Sequence, residues 1–294
     1  MSARTDQVPD QQQQWPGSDA ALTPQADHGA NSWTGRDRLR GKRAVITGGD
    51  SGIGRGHRRG LRHRAGGALT FVREGADVLV GHLPQEEEDA RTTAELAGDD
   101  AKVVLHAADL RTAEANRALA ERAVAELGGV DVLVCNAAFQ MAHDELADFE
   151  PEQLERTFST NVLGPFALIQ AMAPQLEHGG SVIVTTSVQA YQPSDHLLDY
   201  AATKAALNNL VVNLAQELGP KGTRVNAVAP GPIWTPLIPA TMPLDKVEGF
   251  GADVPLGRPG QPVEVAAAYV FLASDEASYV SGTVLGVTGG KPVF

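Results

Sequence analysis

From Arg43 onward, short runs of aliphatic residues alternate with longer stretches of helical composition. The aliphatic runs are continuous rather than interleaved with polar residues, which is typical of strands buried on both faces of a parallel sheet. The helical stretches supply the crossovers that parallel strands require. The pattern therefore predicts one α/β domain over residues 41–294, with a doubly wound, Rossmann-type parallel sheet flanked by helices.

The predicted strands are residues 44–47, 78–80, 103–105, 130–134, 181–186, 224–228 and 284–287. Predicted helices include residues 112–127, 154–176, 200–218 and 262–273. The segment 237–254, which contains Met242 and Phe250, interrupts this alternation. We expect it to be a mobile lid over a partly apolar substrate pocket.

Residues 1–35 have a different composition, with glutamines at 11–14, several prolines and glycines, and little aliphatic pattern. Such a segment cannot bury enough apolar surface to fold alone, so we expect a polar, flexible N-terminal arm. Trp15 and Trp33 are unusual in this setting. They leave a second interpretation open, in which the arm docks these rings on the body or on a neighbouring subunit.

Charge and cysteine content limit the function classes. A net charge of -12 argues against a nucleic-acid-binding surface, because phosphate binding needs a basic footprint. The single cysteine, Cys135, fits a reducing compartment. The sequence has no secretory-signal pattern and no apolar run approaching the ~18 residues of a membrane helix. We expect a cytoplasmic protein with no nucleic-acid partner, no membrane partner and no bound metal.

The first strand leads into a glycine-rich turn, Thr-Gly-Gly-Asp-Ser-Gly-Ile-Gly, at residues 47–54. Glycines at 48, 52 and 54 let the turn tighten, and they let backbone amides approach a pyrophosphate at a helix N-terminus. A turn of this kind can also be a structural loop, but its place after the first strand favours a dinucleotide site. Asp109 and Asn136 follow the third and fourth strands, at the edge where open sheets bind ligands. Asp109 could also cap the next helix.

Tyr200 and Lys204 are four residues apart on a predicted helix, so both lie on one face. An ammonium beside a phenol favours the phenolate, and we expect it to lower the pKa of Tyr200 from about 10. That would make Tyr200 an acid or base near neutral pH. Ser187 ends a predicted strand, where its hydroxyl could hold a carbonyl. Asn161, in an apolar helix, is open to a structural or a proton-relay role.

Together these residues resemble the short-chain dehydrogenase/reductase family. The similarity covers about residues 41–290 and includes T-G-x-x-x-G-I-G, Asn-Ala, Y-x-x-x-K and Pro-Gly in the family order. The polar leader with Trp-Pro-Gly resembles a bacterial branch of general stress proteins and uncharacterised aldehyde or alcohol oxidoreductases. The resemblance implies hydride transfer between NAD(P) and an aldehyde, ketone or sugar.

The resemblance also implies a role for each site residue. Tyr200 would be the general acid/base, and Lys204 would depress its pKa and bind the nicotinamide ribose. Ser187 would orient the carbonyl, and Asn161 would hold a water that links Lys204 to solvent. The cofactor-binding residues would be Gly48, Asp50, Ser51, Gly52, Ile53, Gly54, Asp109, Leu110, Asn136, Ala137, Tyr200, Lys204, Pro230, Gly231, Ile233 and Thr235. Family members are commonly homotetramers, with the helix that bears Tyr200 in an interface.

Two departures from the family pattern affect the cofactor site. The second strand ends in Gly-His-Leu-Pro at residues 81–84, without the carboxylate that would bind a ribose 2′-hydroxyl and repel a 2′-phosphate. This favours NADP over NAD, although Ser51 is not the basic residue that many NADP-dependent members carry. A basic, glycine-rich insert at residues 56–67 precedes the expected first helix, which should resume near Ala68. The insert could clamp cofactor phosphates, or it could leave a catalytically impaired nucleotide-binding or interaction protein of the same fold.

Overall fold

The structure is a computed structural model that describes residues 8–29, 32–50, 52, 67–98, 101–176 and 178–294. Ser51, Ile53, Gly54 and residues 56–66 of the predicted insert lie outside the described residues. The effect of the insert on the cofactor turn therefore stays a prediction.

The strands form a seven-stranded sheet in the order β3-β2-β1-β4-β5-β6-β7, with parallel pairing throughout. This confirms the predicted doubly wound fold. Strands β2 and β3 lie on one side of β1, and β4 to β7 lie on the other. The strand order therefore reverses between β1 and β4, where doubly wound sheets have their ligand-binding crevice. The strand bounds are β1 Arg43–Thr47, β2 Asp77–His82, β3 Val103–Ala107, β4 Val132–Cys135, β5 Ser181–Thr185, β6 Arg224–Pro230 and β7 Val284–Val287.

The helices are α1 Gly67–Arg73, α2 Glu87–Ala97, α3 Ala113–Leu127, α4 Pro151–Phe158, α5 Gly164–Met172, α6 Leu198–Leu218, α7 Leu237–Thr241, α8 Leu244–Val247 and α9 Pro262–Ala273. The predicted helix over 154–176 is divided, because a π-helical turn, Ser159–Leu163, lies between α4 and α5. Among the described residues, no helix combines the length and apolar character needed to cross a bilayer.

Side chains of one strand enter two different cores, which explains why the strands are continuously apolar. Ala44 and Ile46 of β1 pack with residues of α1 and α9, such as Phe71 and Tyr269. Val45, between them in sequence, packs with residues of α3, α5 and α6. The sheet is therefore covered on both faces, and its carboxyl edge is left to bind ligands.

Residues 8–29 pack on the body, unlike the flexible arm that we expected from their composition. Val8, Leu22 and Ala26 are buried in a third apolar cluster with Trp234 and Ile238. Val8 lies far in sequence from Leu22 and Ala26, and three apolar anchors in this segment are too few to give a sustained helical or strand period, so hydrophobic periodicity does not detect them. The segment is tied down by separate contacts rather than by regular structure of its own.

Candidate active site

A cleft follows the carboxyl edge of the sheet, past the ends of β1 to β5 and the segment after β6. It brings together many of the predicted site residues, namely Gly48, Gly52, Asp109, Leu110, Asn136, Ala137, Tyr200, Lys204 and Thr235. Other predicted residues are not among those that line it, namely Asp50, Asn161, Ser187, Pro230, Gly231 and Ile233. The position matches the crevice in which doubly wound sheets bind nucleotides.

Ser187, Tyr200 and Lys204 meet just beyond the end of β5. The hydroxyl groups of Ser187 and Tyr200 are hydrogen-bonded to each other. Lys204 Nζ donates to the carbonyl oxygen of Thr185, the last residue of β5, over 2.8 Å. The same ammonium nitrogen lies 5.2 Å from the centre of the Tyr200 ring. Helix α6 holds Tyr200 and Lys204 one turn apart and directs both towards the end of the strand.

Burial dominates the ionisation of this group. It raises the pKa of Tyr200 to about 12, against a smaller lowering by the hydrogen bond with Ser187. It also lowers the pKa of Lys204 to about 7. The predicted lowering of the Tyr200 pKa is therefore wrong for this arrangement, because desolvation disfavours the phenolate and the ammonium alike.

Asn161 lies in the π-helical turn, and its side chain is held by protein partners. Its Oδ1 accepts from the backbone N–H of Phe139 over 2.7 Å. Its Nδ2 donates to the carbonyl oxygen of Phe139 over 2.8 Å and to Thr203 Oγ1 over 3.1 Å. Asn161 thereby ties the segment after β4 to the helix that bears Tyr200. Both Nδ2 donors and one acceptor site of Oδ1 are thus used, so a water at this residue would bind the remaining acceptor site of Oδ1 or the backbone.

The ends of β1, β4 and β5 are linked by side-chain hydrogen bonds. Asn136 Nδ2 donates to the carbonyl oxygen of Gly48 over 3.1 Å, and Asn136 Oδ1 accepts from Thr185 Oγ1 over 3.1 Å. Gly48 has φ +61, and a Cβ there would lie 2.9 Å from the Cα of Ala137. Only glycine fits this close approach of two backbones. The floor of the cleft is therefore a fixed backbone surface.

Asp109 lies on the rim of the cleft and forms an ion pair with Arg111. Arg111 Nε and Nη2 donate to Asp109 Oδ2 over 2.8 and 2.6 Å. This hydrogen bonding lowers the pKa of the Asp109 carboxyl, against the effect of burial. Asp109 does not cap α3, because the cap is Thr112, whose Oγ1 accepts from the backbone of Ala115.

The segment after β6 approaches the glycine-rich turn. A Cβ on Gly52 would lie 3.2 Å from Thr235 Cβ, so Thr235 packs directly on the turn. Gly231 N donates to Val287 O, and a Cβ at Gly231 would meet the backbone of Thr288. Ile233 bridges to Gly260. Pro230 ends β6, and Asp50 is fully buried beneath the turn.

Sequence reasoning missed a cluster at the mouth of the cleft. Trp15, Pro16, Phe139 and Arg156 all line it. The Arg156 guanidinium carbon lies 4.2 Å from the centre of the Trp15 ring and 4.1 Å from that of Phe139. The two rings meet edge to face, 5.7 Å apart. The one feature of the sequence that could have indicated this cluster is Trp15, a large aromatic residue in an otherwise polar leader.

A family model described as enoyl-(acyl carrier protein) reductase matches residues 65–291. The uncharacterised oxidoreductase YghA of Escherichia coli is 45% identical over 289 residues, which cover 98% of this chain and 95% of that protein. The chain belongs to the short-chain dehydrogenase/reductase family. General stress protein 39 of Bacillus subtilis is 42% identical over 95% of this chain and 94% of its own. The glucose and ribitol dehydrogenase of Daucus carota is 40% identical, over 97% of each chain.

Solved structures of this family have the same fold. A short-chain dehydrogenase from Burkholderia cenocepacia, in complex with NADP, is 31% identical with a TM-score of 0.76, over 86% of this chain and 99% of that one. A 3-ketoacyl-(acyl-carrier-protein) reductase from Brucella melitensis, complexed with NADH, is 29% identical with a TM-score of 0.76, over 87% of this chain and 100% of that one. The protein is an NAD(P)-dependent oxidoreductase that acts on a carbonyl/alcohol pair.

Proposed function

We propose that the enzyme reduces small aldehydes, ketones or sugars, with Tyr200 as general acid/base. The supporting observation is the convergence of Ser187, Tyr200 and Lys204 at the end of β5, beside a glycine-lined backbone floor. The named activity of a relative, glucose and ribitol dehydrogenase, is compatible with such substrates.

The cleft fits a dinucleotide along its length. The close approach of Gly48 to Ala137 leaves a side-chain-free surface, which a bulky cofactor can approach closely. Asp109 and Leu110 lie on the adenosine side that we propose, with Asn136 and Ala137 between the two halves. Thr235, Tyr200 and Lys204 would surround the nicotinamide half. When bound, NAD(P) supplies or accepts the hydride.

The side chains handle the proton. Because burial holds the pKa of Tyr200 near 12, its hydroxyl stays protonated at neutral pH and is ready to donate to a carbonyl oxygen. Ser187, hydrogen-bonded to Tyr200, would orient that oxygen. Lys204 lies beside the Tyr200 ring, and its Nζ is held by the carbonyl oxygen of Thr185. It would therefore stay in place when Tyr200 loses or regains its proton. The site therefore favours reduction near neutral pH.

The direct test is a screen of aldehydes, ketones and sugars with each nicotinamide cofactor. Turnover by the wild type, with loss in Tyr200→Phe, supports the proposal. The impaired alternative, which arises from the insert, predicts that neither cofactor binds in a fluorescence titration. Deletion of ten residues within 56–67 would then restore binding. An outcome in which only NADPH affinity is lost on deletion would identify the insert as a phosphate clamp.

We propose a preference for NADPH, because β2 ends in His82 and is followed by Leu83, with no carboxylate at either position. The nearby acid Glu86 caps the turn, with its Oε2 accepting from the backbone of Leu83 over 3.2 Å. Glu87 bonds Arg91 and lies 3.4 Å from His82. The test compares kcat/KM for NADPH and NADH at equal ionic strength. A preference for NADH above about tenfold, roughly 1.4 kcal/mol, contradicts the proposal.

We also propose a cytoplasmic homotetramer. The support is a set of exposed apolar side chains on α4 to α6, namely Leu154, Leu163, Phe166, Leu198 and Val212. Exposed apolar side chains on α4 to α6 are the kind of surface that contact between subunits would cover. The cytoplasmic location is supported by the single cysteine, which is buried and free, since disulfides are rare in reducing compartments. Sedimentation of wild type and Phe166→Asp tests the assembly, and the variant should dissociate.

A further inference from the structure

The N-terminal arm contributes to the lining of the cleft and contacts the body at two places. At one, Gln13 N donates to the carbonyl oxygen of Pro239 in α7 over 2.8 Å. At the other, Trp15 packs against Arg156 of α4 and against Phe139. Trp15 and Pro16 line the same cleft as Tyr200. The arm is therefore part of the wall of the candidate site, not an appendage beside it.

The loop that presents Trp15 has a defined conformation. Gly17 N donates to Gln14 O over 2.8 Å, and Gln13 Oε1 accepts from Ser18 N over 2.6 Å, which closes residues 13–18. Gly17 has φ +84, and a Cβ there would lie 2.7 Å from the carbonyl oxygen of Pro236. The loop thus rests on the residue that follows Thr235, and only glycine permits that contact.

The rest of the arm holds the segment that we expected to be a mobile lid. Trp234 is fully buried, and its Nε1 donates to the carbonyl oxygen of Pro24 over 2.6 Å. Gly249 N donates to Val8 O over 3.2 Å. Ile238 and Val247, from either half of the segment, pack with Val8 in the third cluster. One arm therefore positions both Trp15 and the segment 235–250.

The Trp15 ring is held by its neighbours. Arg156 has no ion-pair partner in the part of the chain that the structure describes, and its guanidinium packs on the rings of both Trp15 and Phe139. Stacking of this kind is stronger when the cation is partly desolvated. Burial also lowers the pKa of Arg156. The position of the ring is thus set by its contacts with Arg156 and Phe139.

We propose that loop 13–18 is a fixed wall of the substrate pocket, and that Trp15 limits the size of the carbonyl substrate. The enzyme should therefore act on small, unbranched or hydroxylated aldehydes and exclude those with a bulky ring. This selectivity rests on the proposed roles of Ser187 and Tyr200, which supply the reaction but not the size limit.

The test compares Trp15→Ala with Trp33→Ala, the other tryptophan of the leader, which bonds Glu74 away from the cleft. For each variant, kcat/KM is measured with propanal and with 2-naphthaldehyde. In Trp15→Ala we expect the ratio of naphthaldehyde to propanal to rise at least tenfold, with the Kd of NADPH unchanged. In Trp33→Ala the ratio should stay as in the wild type.

A second variant keeps the Trp15 side chain but displaces it. Gly17→Ala forces its Cβ against Pro236 O, so the loop must shift and the size ratio should rise as in Trp15→Ala. Melting curves confirm that each variant is folded. An unchanged ratio in both variants overturns the proposal, as does a loss of NADPH affinity, which would assign Trp15 to the cofactor. Turnover retained in Tyr200→Phe would instead refute the catalytic roles, independently of the ratio.

Discussion

The cleft has two walls that are built in different ways. The catalytic wall consists of β5 and the helix α6, and Lys204 is buried between them with its ammonium on Thr185 O. The opposite wall is loop 13–18 of the arm, attached by single backbone hydrogen bonds and by scattered apolar anchors. The first is part of the sheet and its covering helices, whereas the second is docked on them by fewer contacts, so we expect it to exchange at a lower free energy than the sheet. The proposed chemistry thus lies on the sheet and α6, and the proposed size selection lies on a segment that is docked against the body.

The largest effect should come from the catalytic wall. Tyr200→Phe removes the transferable proton but leaves the ring in place. We expect kcat to fall about 1,000-fold, within the range of general acid catalysis, with the Kd of NADPH nearly unchanged. Stopped-flow absorbance and a fluorescence titration measure the two quantities. A kcat within tenfold of the wild type would reject Tyr200 as the acid/base and remove the functional basis of the comparison.

The next effect concerns the pH dependence of the same wall. The Ser187 hydrogen bond lowers the pKa of Tyr200, against the raising effect of burial, so Ser187→Ala should raise that pKa further. Alcohol oxidation needs the phenolate, so its rate should still be rising at pH 10 in the wild type and should shift to higher pH in the variant.

We expect kcat/KM for Ser187→Ala to fall about 100-fold, as when one donor to a reacting oxygen is lost. Ser194→Ala is a matched control, because Ser194 bonds Gln189 outside the cleft. A pH profile that is identical in Ser187→Ala and the wild type would show that Ser187 does not act on Tyr200.

Sequence alone predicts the catalytic wall well, because its strand and helix follow regular periods and its motif spacing is specific. The seven strands and the helix of Tyr200 are found where the aliphatic runs predicted them. The interruption of the helix over 154–176 was missed, since a π-helical turn has no compositional signature.

The direction of the Tyr200 pKa was missed for a different reason. Residue spacing indicates that Lys204 is near, but the shift depends on how much water both groups lose, which spacing does not report. Composition favoured a flexible arm over the docked alternative, and it could not decide between them because Val8 and Leu22 find their cluster, and Trp15 its cation, on the body. Such contacts are set by tertiary structure and leave no local pattern.

The stabilities of the sheet and of the N-terminal arm can be compared by making the same substitution, Leu→Ala, once in each. Leu133 of β4 and Leu22 of the arm are both buried, at 0% and 2% exposure. Leu133→Ala should reduce the free energy of unfolding by about 2–5 kcal/mol. Leu22→Ala can reduce the free energy of unfolding by no more than the arm gains on docking. The global free energy of unfolding should therefore fall less in Leu22→Ala than in Leu133→Ala.

Urea unfolding gives the global loss, and hydrogen exchange at residues 8–29 reports arm detachment. We expect rapid exchange of the arm in Leu22→Ala, with the β5 amides still protected. Equal global losses in the two variants, with no local exchange, would show that the arm and the sheet form one cooperative unit.

The smallest effect should come from the other tryptophan of the leader, Trp33, which is half-buried against the helix α1. Its Nε1 donates to Glu74 Oε1 over 3.0 Å, but the buried Glu74 carboxylate also accepts from Arg36 N, Arg38 N and Arg38 Nη2. Burial alone would raise the pKa of Glu74, yet these donors lower it. Trp33→Phe leaves three of the four donors and most of the ring packing. We expect the free energy of unfolding to fall by about 1 kcal/mol, the Tm to fall by about 2–4 °C, and kcat/KM to stay within twofold of the wild type.

Glu74→Gln is the matched contrast, because it deprives the half-buried Arg38 of its counter-charge and should reduce the free energy of unfolding by more. If Trp33→Phe instead changed aldehyde selectivity as Trp15→Ala is expected to, the whole leader would act on the cleft as one rigid body, and the division between a catalytic wall and a locally docked wall would fail.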